Sequence, residues 1–475
     1  MKARFLIAAL LGLLAGCKVG PSYRPPAVNV APQWSSPLAG GETDSSSSLA
    51  SWWKNFNDSE LDSLIERAIQ SNLDLKIAAA RVREARAQYR MTSAGLWPTV
   101  AASAAYQRQR QSQNQPVLGS IPLPANVPFE NNVYQAGFDA SWEIDVFGGT
   151  RRATEAARAE IAAAEFGRRD TLVTLLSEVA RNYVEARGDQ RELAIARENI
   201  KVQEDTLGIT QDRFNHGVTS DLDVEQAATL LATTRSSVPP LESALQAAIH
   251  RLGVLMGQPP GTLSAELSPP APIPANPPSV PIGLPSELLL RRPDVQKAER
   301  QLASATAQIG VAKADLFPKF SLTGDVGYQG LSLGDWFSAG SRFWSVGPTV
   351  QWRIFEAGRI RANIKVQNAR QEQALASYEK TMLESFEDVE DALVAYAREQ
   401  VRQRSLEDAV KSSQETLRLS DQQYGKGVVS FINVLDAERS LYQAQDHLVQ
   451  SQRAVVVDLI QLYKALGGGW DTPTE

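Results

Sequence analysis

Residues whose side chains could carry out chemistry are few in this 475-residue sequence, and they do not cluster. There is a single cysteine, Cys17, and the three histidines are far apart, at His216, His250 and His447. Metal sites need several such ligands close together. The sequence also contains no phosphate-binding glycine-rich loop and no nucleophile elbow. We therefore expect no enzyme activity, no cofactor and no metal site.

The single cysteine stands at the end of a short export signal. Two basic residues precede the apolar stretch Phe5–Leu14, which is too short to span a bilayer as a permanent helix. The following sequence, Leu14-Ala15-Gly16-Cys17, is similar to a bacterial lipobox. We predict a lipoprotein signal peptide at residues 1–16, cleaved so that the thiol of Cys17 is acylated. By resemblance to sorted lipoproteins, Lys18 at the next position implies delivery to the outer membrane.

Composition gives two further limits. The formal net charge of −6 does not favour nucleic-acid binding. After residue 16 the sequence has no apolar run of 18 residues, so it predicts no transmembrane helix.

The chain is internally duplicated. Leu73–Pro98 aligns without a gap with Pro293–Pro318, and Thr206–Leu231 aligns with Thr416–Leu441. A period this long is one structural half repeated, rather than a solenoid of short units. With two Pro-rich stretches as boundaries, we divide the mature chain into five parts: a lipid-anchored tether (17–56), a first repeat (57–257), a linker or equatorial segment (258–285), a second repeat (286–468) and a C-terminal tail (469–475).

Long helices are predicted in both repeats. Residues 359–424 contain neither glycine nor proline, and as one helix these 66 residues would span about 100 Å. Residues 150–214 are similar, with only three glycines. Apolar residues recur at spacings of three and four in both stretches, which predicts lengthwise packing as coiled coils.

Four other segments alternate between apolar and polar residues, as half-buried strands do. They form two predicted hairpins, at about 99–146 and about 319–355, and they are Thr99–Gln107, Tyr134–Val146, Phe320–Gln329 and Trp344–Ile354. The longer ones have the length of outer-membrane strands and carry aromatic residues at their ends. The polar loops near 108–133 and 330–341 would then be extracellular.

The strands predict an oligomer. Lipid tolerates no open sheet edge, and four strands cannot close into a barrel. Two copies would give eight strands with an interior filled by side chains, whereas three or four copies would give a barrel that could leave a pore. The sequence itself does not choose between three and four.

Several motifs together resemble the TolC-like outer-membrane efflux family, in its lipoprotein branch. They are Leu290–Val295, Ile309–Pro318, Trp142–Gly149, Val434–Arg439 and Leu462–Trp470. The resemblance implies a mainly α fold with a small membrane β part. A duplicated, long coiled-coil α-barrel would continue into four strands per chain, which close a 12-stranded barrel as a homotrimer.

The same resemblance implies a function and partners. The protein would be the passive exit duct of a tripartite efflux pump for drugs or other small toxic compounds. It would join a periplasmic adaptor and an inner-membrane RND-type transporter, with its lipid anchor in the outer membrane and its helices in the periplasm. Two alternatives remain: an outer-membrane duct for type I protein secretion, and a periplasm-spanning structural lipoprotein without a pore.

Two turns stand where the long helices are predicted to end. Each contains a glycine suited to a left-handed C-terminal turn and a serine suited to N-capping the next helix. They predict helix-turn-helix tips, and ordinary turns would suffice for the fold. By resemblance the tips are also adaptor-docking sites, with the residues Gly217, Val218, Ser220, Gly427, Val428 and Ser430.

A candidate gate lies just past the second turn. Ile432, Asp436 and Arg439 share one helix face, and three copies of Asp436 around an axis would form a repulsive acidic ring. By resemblance these residues form a periplasmic gate, with Tyr424 and Asp223 at linking positions. The alternative is an ordinary solvated Asp–Arg pair.

Two comparisons refine the gate hypothesis. Val429 and Asn433 depart from family members that carry Arg and Asp there. Asp436 aligns with Gln226 of the first repeat, and Arg439 aligns with Thr229. The predicted gate therefore belongs to the second repeat.

Overall fold

The computed structural model describes residues 18–27, 31–35, 42–43, 49–110, 112, 129–275, 280–282 and 285–470. The predicted signal peptide, Cys17 and the last five residues lie outside this part of the chain. Two compact units are present, each assembled from three stretches of chain. We call them the strand unit (1–26, 83–162 and 299–377) and the helix unit (27–82, 163–298 and 378–475).

Helices of the first repeat follow its predicted pattern. They are α1 (Ser59–Ser71), α2 (Leu73–Ala94), α3 (Gly149–Asn215), α4 (Asp221–Ser236) and α5 (Val238–Leu255). Helices α4 and α5 are separated by Ser237 alone, and the prolines at 239 and 240 lie in the first turn of α5. Proline is tolerated in the first turn of a helix but not in its interior, so a new helix begins here.

The second repeat has matching elements. A short α6 (Ser264–Leu267) lies between the repeats, and α7 (Pro285–Arg291), α8 (Pro293–Ala314), α9 (Arg359–Gly425) and α10 (Phe431–Ala465) follow. Helices α3 and α9 both contain 67 residues. Helix α10 has 35 residues and is unbroken where α4 and α5 are separate.

Four longer strands form one antiparallel sheet in the order β2-β3-β5-β6, and a two-residue pair, β1 with β4, stands apart from it. Their bounds are β1 (Glu42–Thr43), β2 (Thr99–Arg110), β3 (Glu130–Ile144), β4 (Val280–Pro281), β5 (Lys319–Gly330) and β6 (Arg342–Gln351). The prediction of four strands in two hairpins of a mainly helical chain is confirmed. Strands β3 and β5 pair with each other, so the hairpins of the two repeats join into one sheet.

The ends of the strands differ from the predicted ones. Strand β3 begins at Glu130, four residues before the predicted Tyr134, because the ladder continues until Glu130 lies opposite Arg110. Backbone pairing does not require apolar side chains, so alternation marks only the apolar part of a hairpin. Strand β6 ends at Gln351, before the predicted Ile354.

The core of the helix unit surrounds the Trp52–Tyr463 contact, in which the rings stack with centroids 5.1 Å apart. Leu263, Leu267 and Ile282 are also buried in this core. They belong to the segment predicted as a linker. In its described residues that segment is therefore packed, because these three apolar side chains are removed from water in the core.

Val19 and Gly20, near the beginning of the described chain, are held by hydrogen bonds and close packing. The Val19 amide donates to the carbonyl of Phe147 at 3.2 Å, and the Arg152 guanidinium donates to the carbonyls of Val19 and Gly20 at 3.1 and 3.2 Å. Gly20 lies against Gly310, where a Cβ on Gly20 would approach the Gly310 Cα to 2.5 Å. The predicted tether is therefore attached to the strand unit at Val19 and Gly20.

Among the described helices, none has a stretch long and apolar enough to cross a membrane.

Candidate functional site at the helix tips

The two turns after α3 and α9 have the same backbone geometry. In the first, the Val218 amide donates to the carbonyl of Arg213 at 2.8 Å, and the Gly217 amide donates to that of Phe214 at 2.8 Å. The second repeats both bonds from Val428 and Gly427, each at 2.9 Å. Gly217 and Gly427 both have φ of 69°, where glycine is favoured. These are Schellman turns, which satisfy carbonyls at the end of a helix.

The serines after the glycines differ in their role. Ser220 accepts from the amide of Asp223, and the Asp223 carboxylate accepts from the Ser220 amide, which completes a capping box on α4. Ser430 occupies the same position before α10, but its side chain makes no cap hydrogen bond. Its hydroxyl instead accepts from the side-chain amide of Asn433 at 2.9 Å. The prediction of N-capping is confirmed for Ser220 and wrong for the Ser430 side chain.

Asp223 therefore has a local role that the gate hypothesis did not include. The Thr219 hydroxyl also donates to its carboxylate, and this bond, helped by those from Ser220, lowers the pKa of Asp223 below its usual value. In the described structure its hydrogen-bond partners, Thr219 and Ser220, lie in its own turn. Within one chain, Asp223 contacts Thr219 and Ser220, whereas Tyr424 contacts Arg213 and Phe431.

Each tip exposes the same pair of aliphatic positions. Val218 and Val428 are both 70% exposed. Leu222 and Ile432, four residues further along, are also exposed. Val218 is equivalent to Val428 in the aligned repeats, and Leu222 is equivalent to Ile432. Both tips therefore present similar apolar surface.

A small core holds the tips together beneath this surface. Phe431, Val434 and Leu435 of α10 pack with Ala227 of α4. The Tyr424 ring lies 5.4 Å from that of Phe431. The same Tyr424 ring also contacts Arg213, whose guanidinium lies 4.8 Å from the ring centroid, at cation–π distance. Tyr424 thus connects the end of α3 to the start of α10.

Asp436 and Arg439 form an ion pair within one chain. The Arg439 Nη2 donates to Asp436 Oδ1 at 2.7 Å, with side chains 59% and 54% exposed. An exposed pair of this kind contributes about 0.2–1 kcal/mol. Ile432 is exposed on the same helix. The structure therefore brings the three predicted residues to one accessible region, and Arg439 is the counter-ion of Asp436.

Glu438, which sequence reasoning missed, is buried next to this pair. Its Oε1 accepts from the Thr206 hydroxyl of α3 at 2.9 Å, while its Oε2 is buried without a hydrogen-bond partner in the described part of the chain. Burial, aided by the nearby Asp421 carboxylate, raises the pKa of Glu438. The available signal was its spacing of four and three residues from Val434 and Leu435, which places a carboxylate in the apolar seam.

The described residues hold no group of three or more His, Cys, Asp and Glu side chains placed to bind a metal ion. The tips therefore offer apolar contact and exposed charge. One long helix in each repeat that ends in a Schellman turn, together with hairpins that have one apolar face, is the pattern of an outer-membrane channel of the TolC type.

Comparisons with known proteins agree. The family model described as "Outer membrane efflux protein" matches residues 64–258 and 284–468. The antibiotic efflux pump outer membrane protein ArpC of Pseudomonas putida is 33% identical over 99% of this chain and 96% of its own. The probable outer membrane lipoprotein SilC of Salmonella typhimurium is 33% identical, with 99% of each chain covered.

A solved structure, that of the outer-membrane channel OprN, is similar throughout. It superposes with a TM-score of 0.89 at 35% identity, over 96% of this chain and all of its own. The chain belongs to the outer membrane efflux protein family. It is an outer-membrane protein with the fold of an efflux channel, as the motifs predicted.

Proposed function

We propose that this protein is the exit duct of a tripartite efflux pump, through which drugs or other small toxic compounds leave the periplasm passively. The observation that carries the proposal is the pair of equivalent helix-turn-helix tips on a channel fold. Similarity to ArpC, an antibiotic efflux pump protein, supports the substrate class. A periplasmic adaptor and an inner-membrane RND-type transporter are the expected partners.

The working unit is a homotrimer. Strands β2 and β6 are the edges of the sheet, each paired on one side only in the described structure. Lipid tolerates no unpaired edge, so these strands pair with those of neighbouring copies. Three copies close 12 strands, which matches the family pattern and leaves room for a pore.

The adaptor docks on the tips. Val218 and Val428 expose apolar surface at the end of rigid, capped turns, and burying such side chains on a partner is favourable. Because the two tips are equivalent, a trimer offers six similar docking positions.

The gate consists of the Asp436–Arg439 pairs and Ile432 around the trimer axis, with Tyr424 and Asp223 supporting the two turns. Within each chain Arg439 pairs with Asp436 and so neutralises its charge. Removing the cation leaves like charges facing one another, which favours an open entrance.

Single-channel conductance in planar bilayers tests the duct and its gate together. We expect Arg439→Ala to raise the conductance several-fold, and Asp436→Ala to reduce selectivity for cations. Thr229→Ala, at the equivalent position of the first repeat, is the matched control and leaves both quantities unchanged. Absence of conductance in the wild type and in all three variants would exclude the duct and favour a structural lipoprotein.

The cargo is tested in a strain that lacks its own outer-membrane channels. Expression with the cognate adaptor and transporter is expected to lower drug susceptibility at least fourfold. Secretion of a protein, without any change in drug susceptibility, would instead assign the chain to type I secretion.

The lipid anchor is the acylated Cys17, which lies outside the described residues. The neighbouring Lys18 is fixed beside Gly148, where a Cβ on the glycine would lie 3.1 Å from the Lys18 Cα. Acyl chains on Cys17 would therefore enter the membrane next to the end of β3. Mass spectrometry of the mature N-terminal peptide tests this: an unmodified Cys17 in membrane-purified protein contradicts acylation.

A further inference from the structure

A row of aromatic rings crosses the loop end of the sheet. Tyr106 of β2, Tyr134 of β3, Trp336 and Phe337 of the second hairpin loop, and Tyr328 of β5 form a continuous chain of contacts. The successive ring centroids are 5.0, 5.7, 4.8 and 5.4 Å apart. The Trp336 indole also donates to the carbonyl of Tyr328 at 3.3 Å. The loop is thereby folded onto the sheet.

This aromatic row lies on the apolar face of the sheet. Tyr106 is directly opposite Tyr134, and Phe138, four residues further along β3, is opposite Val326. Directly opposed residues point to the same face. From Tyr134 to Ile144 a tilted strand rises about 26 Å, close to the thickness of an outer-membrane apolar band. The row therefore marks the outer boundary of that band.

The second hairpin loop exposes more apolar surface than expected of the polar extracellular loop predicted here. Leu331, Leu333 and Phe337 are each 66% exposed. Three large apolar side chains grouped on one short loop form a patch that water does not favour. Because Phe337 belongs to the aromatic row, the patch continues the lipid-facing surface.

Basic residues stand on the same face, Arg342 level with the row and Arg108 and Arg110 just beyond it. Arg108 and Arg110 lie opposite Asn132 and Glu130, and Arg342 lies opposite Tyr328. Glu130 pairs with both Arg108 and Arg110, at 3.0 and 3.5 Å. The side chains of Arg108 and Arg110 remain 69% and 71% exposed. Three arginines stand against two carboxylates, those of Glu130 and of Asp335 in the loop, which leaves one net positive charge among these residues.

We propose that this rim, formed by the 331–341 loop and the three arginines, binds phosphate-bearing lipid headgroups of the outer leaflet. Apolar loop side chains would lie at the boundary of acyl chains and headgroups, where aromatic residues are favoured. Arg108 and Arg110 stand at the height of the headgroups and Arg342 at their inner border, and guanidinium groups bind phosphate in bidentate geometry. The inference goes beyond the exit duct and depends only on the outer-membrane location.

A fluorescent label tests where the loop lies. In the acylated full chain, in vesicles of phosphatidylethanolamine and lipid A, labelled Phe337→Cys is compared with labelled Gln107→Cys. Gln107 follows Tyr106 on β2 and so points to the opposite face. We expect lipid-borne nitroxide to quench the Phe337 position at least threefold more than the Gln107 position, and aqueous iodide to do the reverse.

Two outcomes would overturn the placement of the loop. Iodide quenching that is equal at the two positions would place the loop in water. Protection of the Phe337 position from both quenchers would mean that protein, such as a second copy, covers it. The unsubstituted chain, labelled in parallel, reports any free thiol at Cys17.

Lipid retention tests the arginines. The detergent-purified trimer is expected to keep more bound lipid A than bound dephosphorylated lipid A. The triple variant Arg108→Gln, Arg110→Gln, Arg342→Gln is expected to keep at most one fifth as much lipid A as the wild type. Arg353→Gln, beyond the other end of β6, is the control and retains lipid A. Conductance of the triple variant stays unchanged, which separates this result from failure of the duct.

Equal retention by the triple variant and the wild type would contradict the proposal. Displacement of lipid A by inorganic phosphate, but not by chloride at matched ionic strength, would show a free-anion site and would also overturn it.

Discussion

Glu192 of α3 is buried beside Arg453 of α10, whose Nη1 lies 3.3 Å from Glu192 Oε1 and 2.8 Å from Asp189 Oδ1. The arginine is shared between two carboxylates, and it does not compensate fully for their removal from water. Burial raises the pKa of Glu192 to about 7, and it raises the pKa of Asp189 as well. The helix seam therefore carries a carboxylate whose charge costs stability at neutral pH.

We predict that Glu192→Gln stabilises the protein at pH 8 but not at pH 4. Since the folded pKa lies above the ordinary value of 4.5, the contribution of Glu192 is fully present below pH 4.5 and is lost as the pH rises through about 7. The expected gain at pH 8 is about 1–3 kcal/mol. Thermal unfolding followed by circular dichroism at both pH values measures it.

Glu415→Gln is the control for this prediction. Glu415 is exposed and paired with Arg418, which lowers its pKa, so its loss gives a small change of opposite sign. A gain for Glu192→Gln that is equal at pH 4 and pH 8 would contradict the role of its charge.

At the scale of the elements, two glycines in the tip of the second repeat test whether the turn requires a left-handed backbone conformation. Gly425 ends α9, whereas Gly427 has φ of 69°, and a Cβ at either position meets nothing within 4 Å. Only backbone conformation then separates the two sites. We predict that Gly427→Ala destabilises the tip by about 1–2 kcal/mol, whereas Gly425→Ala is neutral or stabilises it by up to about 1 kcal/mol.

Hydrogen exchange of the amides at the start of α10 measures this difference. Faster exchange is expected in Gly427→Ala, and unchanged or slower exchange in Gly425→Ala. Faster exchange in both variants would mean that glycine is needed at the tip for a reason other than its backbone freedom.

Most elements could be predicted from the sequence because their signals are local. The absence of glycine and proline predicts α9, and alternation predicts the apolar part of β3. Other features depend on neighbours that the pattern does not reveal. The Ser430 hydroxyl is occupied by Asn433, and Glu438 lies in an apolar seam. The loop near 331–341, predicted as polar, lies on the sheet because Trp336 and Phe337 find aromatic partners there.

For the whole molecule, the equivalence of the two tips predicts how docking fails. Val218→Asp and Val428→Asp each remove an exposed apolar contact and place a charge where the adaptor would exclude water. We expect each variant alone to weaken adaptor binding about tenfold or more and to leave partial drug resistance, because three of six positions remain. The double variant is expected to lose both.

Surface plasmon resonance with the purified adaptor and drug susceptibility of the complemented strain check this prediction. Lys411→Asp changes charge at a side chain that is 75% exposed on α9, and it is the control. Full binding by the double variant would show that the adaptor does not use these valines.

The matched lengths of α3 and α9, 67 residues each, have a consequence for how such a protein can change. Deleting one residue from one of them rotates its end by about 100° and withdraws it by about 1.5 Å. Val428 would then no longer present the same surface as Val218. Adaptation to a wider gap between membranes therefore requires simultaneous insertions of whole turns in both repeats. The number of residues in α3 and α9 thus sets the distance that the protein spans, and both repeats must keep the same number.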